Sequence, residues 1–113
     1  MSEIIERVER RRKDLKLKKR DICRELGITD STYGSWVERD KDPDAKYLTT
    51  ITKLLDINFD YLLTGKDAPE KPSETYIRLL SLSRHLEKLP ADERKKIITN
   101  MENTAKMFVD IHK

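Results

Sequence analysis

The 113-residue chain has one cysteine, three glycines, four prolines and few aromatic residues, 6% in all. One cysteine cannot close an intrachain disulfide, which fits a reducing cytoplasm. His85 and His112 stand alone, and with Cys23 they form no metal-ligand cluster. A phosphate-binding glycine loop and a nucleophile–base arrangement are also missing. The expectation is therefore a protein that is not an enzyme and carries no cofactor or metal. No apolar run approaches the ~20 residues that span a bilayer, so no membrane association is expected. The N-terminal MSEIIERVERRRK lacks the continuous apolar stretch of a secretory signal. Internal repeats and low-complexity tracts are absent as well.

Charge is abundant. Charged residues make up 40% of the chain and apolar residues 36%, with a formal net charge of +3. The core must be small, which suits a compact helical protein with a large solvated surface better than an enzyme with a deep cleft.

The stretch 18–38, KKRDICRELGITDSTYGSWVE, carries the first specific signal. Ile22, Cys23 and Leu26 share one face at helical spacing, with Cys23 read as a small buried filler. Gly27 then interrupts, because glycine enters the left-handed region without a Cβ clash. Thr29 can accept a hydrogen bond from an orphan amide and so cap a second short helix. Two short helices joined by a tight turn make a helix-turn-helix. On a wheel of about 100° per residue, Tyr33 and Trp36 fall on one side of the second helix. Ser31, Gly34, Ser35 and Glu38 fall on the other. The bulky side is core. Gly34 in mid-helix costs about 1 kcal/mol relative to alanine. Close approach of another molecule's surface would compensate, and a neutral surface glycine is the alternative.

These residues resemble the helix-turn-helix of the Cro/phage-repressor family (XRE-like, lambda-repressor-like). There a helix is followed by Gly-Ile/Val-Ser/Thr and a short recognition helix with Trp or Leu near its end. Gly27, Ile28, Thr29, Ser31, Thr32 and Trp36 fit that pattern, and LLDINFDYLLTG at 54–65 resembles the family's closing segment. The likeness covers about residues 3–65. It implies an all-α fold, a five-helix lambda-repressor-like domain, with double-stranded operator DNA as the partner. The recognition helix would enter the major groove. Asp30, Ser31, Gly34 and Ser35 would face the bases, since hydroxyls serve as donor or acceptor. Lys18, Lys19, Thr29, Thr32, Arg39, Lys41 and Lys46 would face the phosphates. Lys19 stands where the family often has a glutamine that reaches a phosphate, and lysine does the same as a point charge. One departure follows Trp36, where the family continues Glu-Arg-Gly and this chain has Val37-Glu38-Arg39. In the family that glutamate pairs with an arginine at the end of the first helix. Arg12 matches the arginine, Val37 cannot pair with it, and Glu38 is the candidate substitute. In relatives the loop over 40–44 abuts the DNA backbone, where Asp40, Asp42 and Asp44 are unfavourable.

From the N-terminus, Ser2 can cap a first helix, with Ile4, Ile5 and Val8 as its apolar edge. A basic run follows, from Arg7 to Arg20, with Leu15 and Leu17 as anchors within it. Such a run is either a solvated face or a phosphate contact, and its place beside the helix-turn-helix favours the second. Glu9, Asp14, Asp21 and Glu25 are its counterweight. Residues 1–65 hold fourteen basic and thirteen acidic side chains, a net of +1. Binding would then depend on where the charge sits.

Asp44 can cap a fourth helix with a stripe of Tyr47, Leu48, Ile51, Leu54 and Leu55. Asn58 can cap a short fifth, with Phe59, Leu62 and Leu63 inward and Gly65 closing it. Residues 1–65 thus read as the DNA-binding domain and 66–72, KDAPEKP, as a linker. Residues 73–113 read as a two-helix hairpin broken at Pro90. A hairpin of about forty residues cannot bury both of its stripes alone. The five-helix domain looks self-sufficient, so a second copy is the favoured cover, with Tyr76, Leu80, Leu86, Ile97, Ile98, Met101 and Phe108 as dimer contacts. Packing back on the first domain is the alternative.

The leading expectation is a sequence-specific DNA-binding transcriptional regulator: a phage- or prophage-type repressor, homodimeric on its operator, in the cytoplasm of a bacterial or phage-infected cell. Two others stay open. One is an antitoxin or restriction-system controller with a protein partner on the hairpin. The other is an interaction adaptor that no longer binds DNA, which Val37 and the acidic loop would fit.

Overall fold

Seven helices and no strand account for the regular structure of the described residues, 2–112, in the computed structural model. They are α1 (Glu3–Asp14), α2 (Lys19–Leu26), α3 (Asp30–Glu38), α4 (Ala45–Leu55), α5 (Phe59–Thr64), α6 (Glu74–Leu86) and α7 (Ala91–Ile111). The chain divides into two compact units, Met1–Ser73 and Glu74–Lys113.

Helix α1 starts where the sequence predicts. Ser2 Oγ accepts from the Ile5 amide at 3.2 Å, and Glu3 and Glu6 lie in the positive first turn. Its apolar edge is Ile5 and Val8, both fully buried. Leu15 and Leu17 anchor the turn into α2, also buried as expected. In the first unit α1 lies against α4 and α5, and α2 lies against α3 and α4. The core among them is built from Ile22, Leu26, Tyr33, Trp36, Ile51, Leu55 and Leu62.

The basic run divides in two. Arg7 and Arg11, one turn apart on α1, point inward and cap other helices. Arg7 Nη1 donates to the Leu62 carbonyl of α5, and Arg11 Nε to the Leu55 carbonyl of α4, both at 2.9 Å. The last carbonyls of a helix have no intrahelical donor and carry its negative end, so a guanidinium there satisfies both needs. Arg11 also donates through Nη1 to the Glu70 carbonyl at 3.2 Å, which ties the stretch predicted as linker to the first unit. Arg10, Lys13, Lys16, Lys18, Lys19 and Arg20 remain exposed.

Two local expectations need correction. In α5 the inward residues are Tyr61 and Leu62, while Phe59 and Leu63 are 44% and 48% exposed. Six residues make less than two turns, so the helix offers one edge to the core. Residues 61 and 62 take that edge, and the i, i+4 pair 59 and 63 falls away from it. Asp44 occupies the N-cap of α4 without a side-chain cap bond, and its carbonyl accepts from the Tyr47 amide at 2.9 Å. Asn58 does cap α5, Oδ1 accepting from the Tyr61 amide at 2.7 Å.

In the second unit, residues 87–90 join α6 to α7, and Arg94 Nη1 donates to Glu87 Oε2 across that turn at 2.9 Å. Leu86 is buried there, so it offers little surface to a second copy. Tyr76, Leu80 and Met101 are half-buried. Ile97 and Ile98 are each 37% exposed and Phe108 57%. No described residue of α7 is buried.

Gly65 closes α5 at φ +79°, and a Cβ built there would stand 2.9 Å from Arg7 Nη2. Gly27 closes α2 at φ +68° with open space around it. Both positions disfavour a side chain by about 1–2 kcal/mol through backbone conformation alone. Gly65→Ala also pushes on the Arg7 cap. It should therefore lower Tm by roughly 5–10 °C and by more than Gly27→Ala does, as followed by thermal unfolding.

Candidate nucleic-acid interface

The turn between α2 and α3 is closed by backbone bonds. The Gly27 amide donates to the Arg24 carbonyl at 3.3 Å and the Ile28 amide to the Cys23 carbonyl at 3.0 Å, the pattern a left-handed glycine permits. Thr29 Oγ1 accepts from the Thr32 amide at 3.1 Å and lies 3.0 Å from Thr32 Oγ1. Both hydroxyls are exposed at the positive end of α3. Beneath them Cys23, buried as predicted, donates its thiol to the Thr29 carbonyl at 3.8 Å. Burial pushes the thiol pKa up, and the neighbouring Asp30 carboxylate pushes it further. Asp30 stands exposed in the first turn of α3.

The wheel of α3 is as the sequence predicts, with Tyr33 and Trp36 buried and Ser31, Thr32 and Glu38 exposed. Gly34 and Ser35 are half-buried. A Cβ at Gly34 would meet nothing within 4 Å, so no neighbour within the chain requires glycine there. At the start of α2 the Lys18 amide donates to Asp21 Oδ2 at 2.9 Å, and the Asp21 amide to the Lys18 carbonyl at 3.0 Å. The side chains of Lys18 and Lys19 are exposed just there. The ring of Trp36 meets Tyr33 at 5.9 Å and Tyr47 at 5.6 Å between centroids, which brings the first turn of α4 beside α3. Lys46 Nζ stands 5.1 Å over the Tyr47 ring, a cation–π contact that positions its charge. Arg39 and Lys41 are exposed in the loop between α3 and α4, whose Pro43 is buried.

The partner of Arg12 corrects the sequence reading. Arg12 pairs with Glu9, one turn back on α1, and not with Glu38, which is exposed. Nε reaches Glu9 Oε1 at 3.1 Å and Nη2 reaches Oε2 at 2.7 Å. Arg12 Nη1 donates to the Leu17 carbonyl at 2.9 Å. Glu9 also accepts the Tyr33 hydroxyl at 2.5 Å. Only 6% of Glu9 is exposed, and a carboxylate so placed must be fully hydrogen-bonded. Reading Glu9 as a counterweight in a charge run missed this. The available signal was its register: Glu9 is four residues after Ile5 and one after Val8, on the apolar edge of α1.

Burial alone would push the Glu9 carboxyl up. The hydrogen bonds from Arg12 and Tyr33 and the charges of Arg12 and Lys19 outweigh it and hold Glu9 below its ordinary value of 4.5. Burial, then the bond to Glu9, pushes the Tyr33 phenol far up, so it stays a donor. Among the described residues no group of three or more His, Cys, Asp or Glu could hold a metal ion, and no helix is long and apolar enough to cross a membrane.

A stable α2-turn-α3 with an open outer face and exposed lysines at its entry is the arrangement of a DNA-binding helix-turn-helix. Residues 6–70 match the bacteriophage CI repressor helix-turn-helix domain, and the chain belongs to that family. It is 30% identical over 97 residues to an uncharacterised helix-turn-helix transcriptional regulator of Bacillus subtilis, YqaE, covering 86% of this chain and 68% of that one. It is 28% identical over 109 residues to the helix-turn-helix transcriptional regulator DicA of Escherichia coli, covering 91% of this chain and 81% of that one. No solved structure matches it. The protein is a DNA-binding transcriptional regulator of the helix-turn-helix class.

A carboxyl whose folded pKa is depressed stabilises the fold above its unfolded pKa and loses that contribution as pH falls through the folded value. Glu9→Gln should therefore be about 2–4 kcal/mol less stable than the wild type at pH 7. The gap should narrow as pH falls below about 4.5. Urea unfolding at pH 7 and pH 3.5 or below measures it, and a gap independent of pH would mean that charge on Glu9 is immaterial.

Proposed function

We propose that this regulator is a sequence-specific repressor of phage or prophage type that binds operator DNA as a homodimer in the cytoplasm and has no enzymatic activity. The observation that carries the reading is the outer face of α3. Ser31, Gly34 and Ser35 make it small and hydroxylic, with a glycine that nothing inside the chain demands. Ser31 and Ser35 read base edges, and Gly34 lets the helix approach them. Asp30, exposed in the first turn of α3, serves the edge of that face. Lys18, Lys19, Thr29 and Thr32 hold phosphates at the entry to the helix, and Arg39, Lys41 and Lys46 do so from the loop and α4. The charge is local, which suits positioning on a duplex better than indiscriminate attraction.

Lys19→Ala should weaken binding to every duplex alike and make the slope of log K against log salt shallower by about one. Gly34→Leu should leave Tm equal or higher, because the site is open and leucine is a better helix former. It should still abolish binding to DNA sites selected by the wild type. Specific binding of Gly34→Leu at wild-type strength would remove α3 from the groove.

One domain of this size reads too few base pairs to find a site in a genome, and symmetric pairing supplies a second reading helix. The exposed apolar side chains of α6 and α7, Ile97, Ile98 and Phe108 among them, are the surface for that pairing. A chain ending at Ser73 keeps the Arg11–Glu70 bond and the whole first unit. It should stay folded, sediment as a monomer where the full chain is a dimer, and bind selected sites weakly. Equal association states in sedimentation equilibrium would remove the hairpin as the dimer contact.

A further inference from the structure

One chain of contacts links the two parts of the interface that must act together. It runs from the Leu17 carbonyl through Arg12 to Glu9 and on to the Tyr33 hydroxyl, at 2.9, 2.7 and 2.5 Å for its three steps. Leu17 immediately precedes Lys18 and Lys19, the phosphate-facing pair. Tyr33 sits on α3 between Ser31 and Ser35 and next to Gly34. The side chains of Arg12 and Glu9 are only 12% and 8% exposed, so salt and water screen their attraction little.

We propose that Glu9 is a positioning residue for sequence reading: with Arg12 and Tyr33 it fixes the reading face of α3 relative to the phosphate-holding turn at Lys18–Lys19, and discrimination between DNA sequences depends on that link. The proposal rests on the DNA-reading function given above.

The need for such a link follows from the readers themselves. A serine hydroxyl has one rotatable bond and a short reach, so it cannot follow a base that is displaced. Hydrogen bonds hold over a window of only about 2.7–3.2 Å. Helix α3, at nine residues, is about 13 Å long, and a tilt of about 5° moves its far end by roughly 1 Å. Phosphate contacts by lysine tolerate that movement, because a flexible point charge adapts. Base contacts by serine do not. Accuracy must come from the backbone of α3, and the buried Tyr33 hydroxyl holds that backbone to α1. Packing of Trp36 on Tyr47 holds α3 beside α4, but a ring contact is not directional and does not fix the tilt of α3.

Tyr33→Phe removes the hydroxyl and keeps the ring, the Glu9–Arg12 pair and the net charge. Fluorescence anisotropy would compare the full-length wild type and variant, well below their unfolding temperatures. The probes are a duplex selected from random sequence by the wild type and a scrambled duplex of equal length. The expected result is an approximately tenfold loss of affinity for the selected duplex, about what one well-placed hydrogen bond is worth, with affinity for the scrambled duplex and its salt slope unchanged. Glu9→Gln should lower the same ratio, and if it fails to fold, Tyr33→Phe decides alone. A ratio of selected to scrambled affinity within twofold of the wild type would overturn the proposal, as would equal losses on both duplexes. A wild-type chain that prefers no sequence would overturn the DNA-reading function itself, a result distinct from either of these, and the proposal with it.

Discussion

A carboxylate taken out of water has to be surrounded by donors, and Glu9 is. Arg12 of α1 gives it two hydrogen bonds and Tyr33 of α3 a third. Removing Glu9 or Arg12 leaves a buried charge without its partner, which is far more unfavourable than the bond itself is favourable. The first unit is therefore committed to one arrangement of α1 against α3. Packing alone would accept neighbouring ones, because hydrophobic contact is not directional. The same arginine holds the Leu17 carbonyl, so the entry to α2 is set by the same cluster.

Around that cluster the basic run serves two different ends. Arg7 and Arg11 are spent on the carbonyl ends of α5 and α4, and Arg11 on Glu70 as well. What remains exposed is Arg10, Lys13, Lys16, Lys18, Lys19 and Arg20, with Arg39, Lys41 and Lys46 near the loop and α4. Residues 1–65 have a net charge near balance, so placement decides where a phosphate backbone is attracted. The second unit has the opposite problem. Its helices have apolar residues in excess of what two helices can cover, with Phe108 57% exposed and Ile111 68%.

Much of this was legible in the sequence. The spacing of Ile22, Cys23 and Leu26, the break at Gly27 and the cap at Thr29 give α2, the turn and α3, because each depends on residues within one or two turns. The division of α3 into a Tyr33/Trp36 side and a Ser31/Gly34/Ser35 side follows from helical period alone. The family likeness over 54–65 was legible for the same reason: capping and stripe are local. The choice of inward edge in α5 went astray, since a helix of under two turns has no period long enough to define a face.

What only the tertiary structure decided is which charged groups turn inward. Arg10 and Arg11 are neighbours of identical chemistry, yet one is exposed and the other only 5% exposed, because Leu55 of α4 and Glu70 end beside Arg11. Arg12 has a match for its role in the family, yet its partner is Glu9, which the Tyr33 hydroxyl also reaches from 24 residues away. Local sequence determines where helices begin, end and bury their apolar stripes. A buried charge is settled by atoms distant in the chain, since its desolvation is tolerated only where their donors and acceptors converge on it.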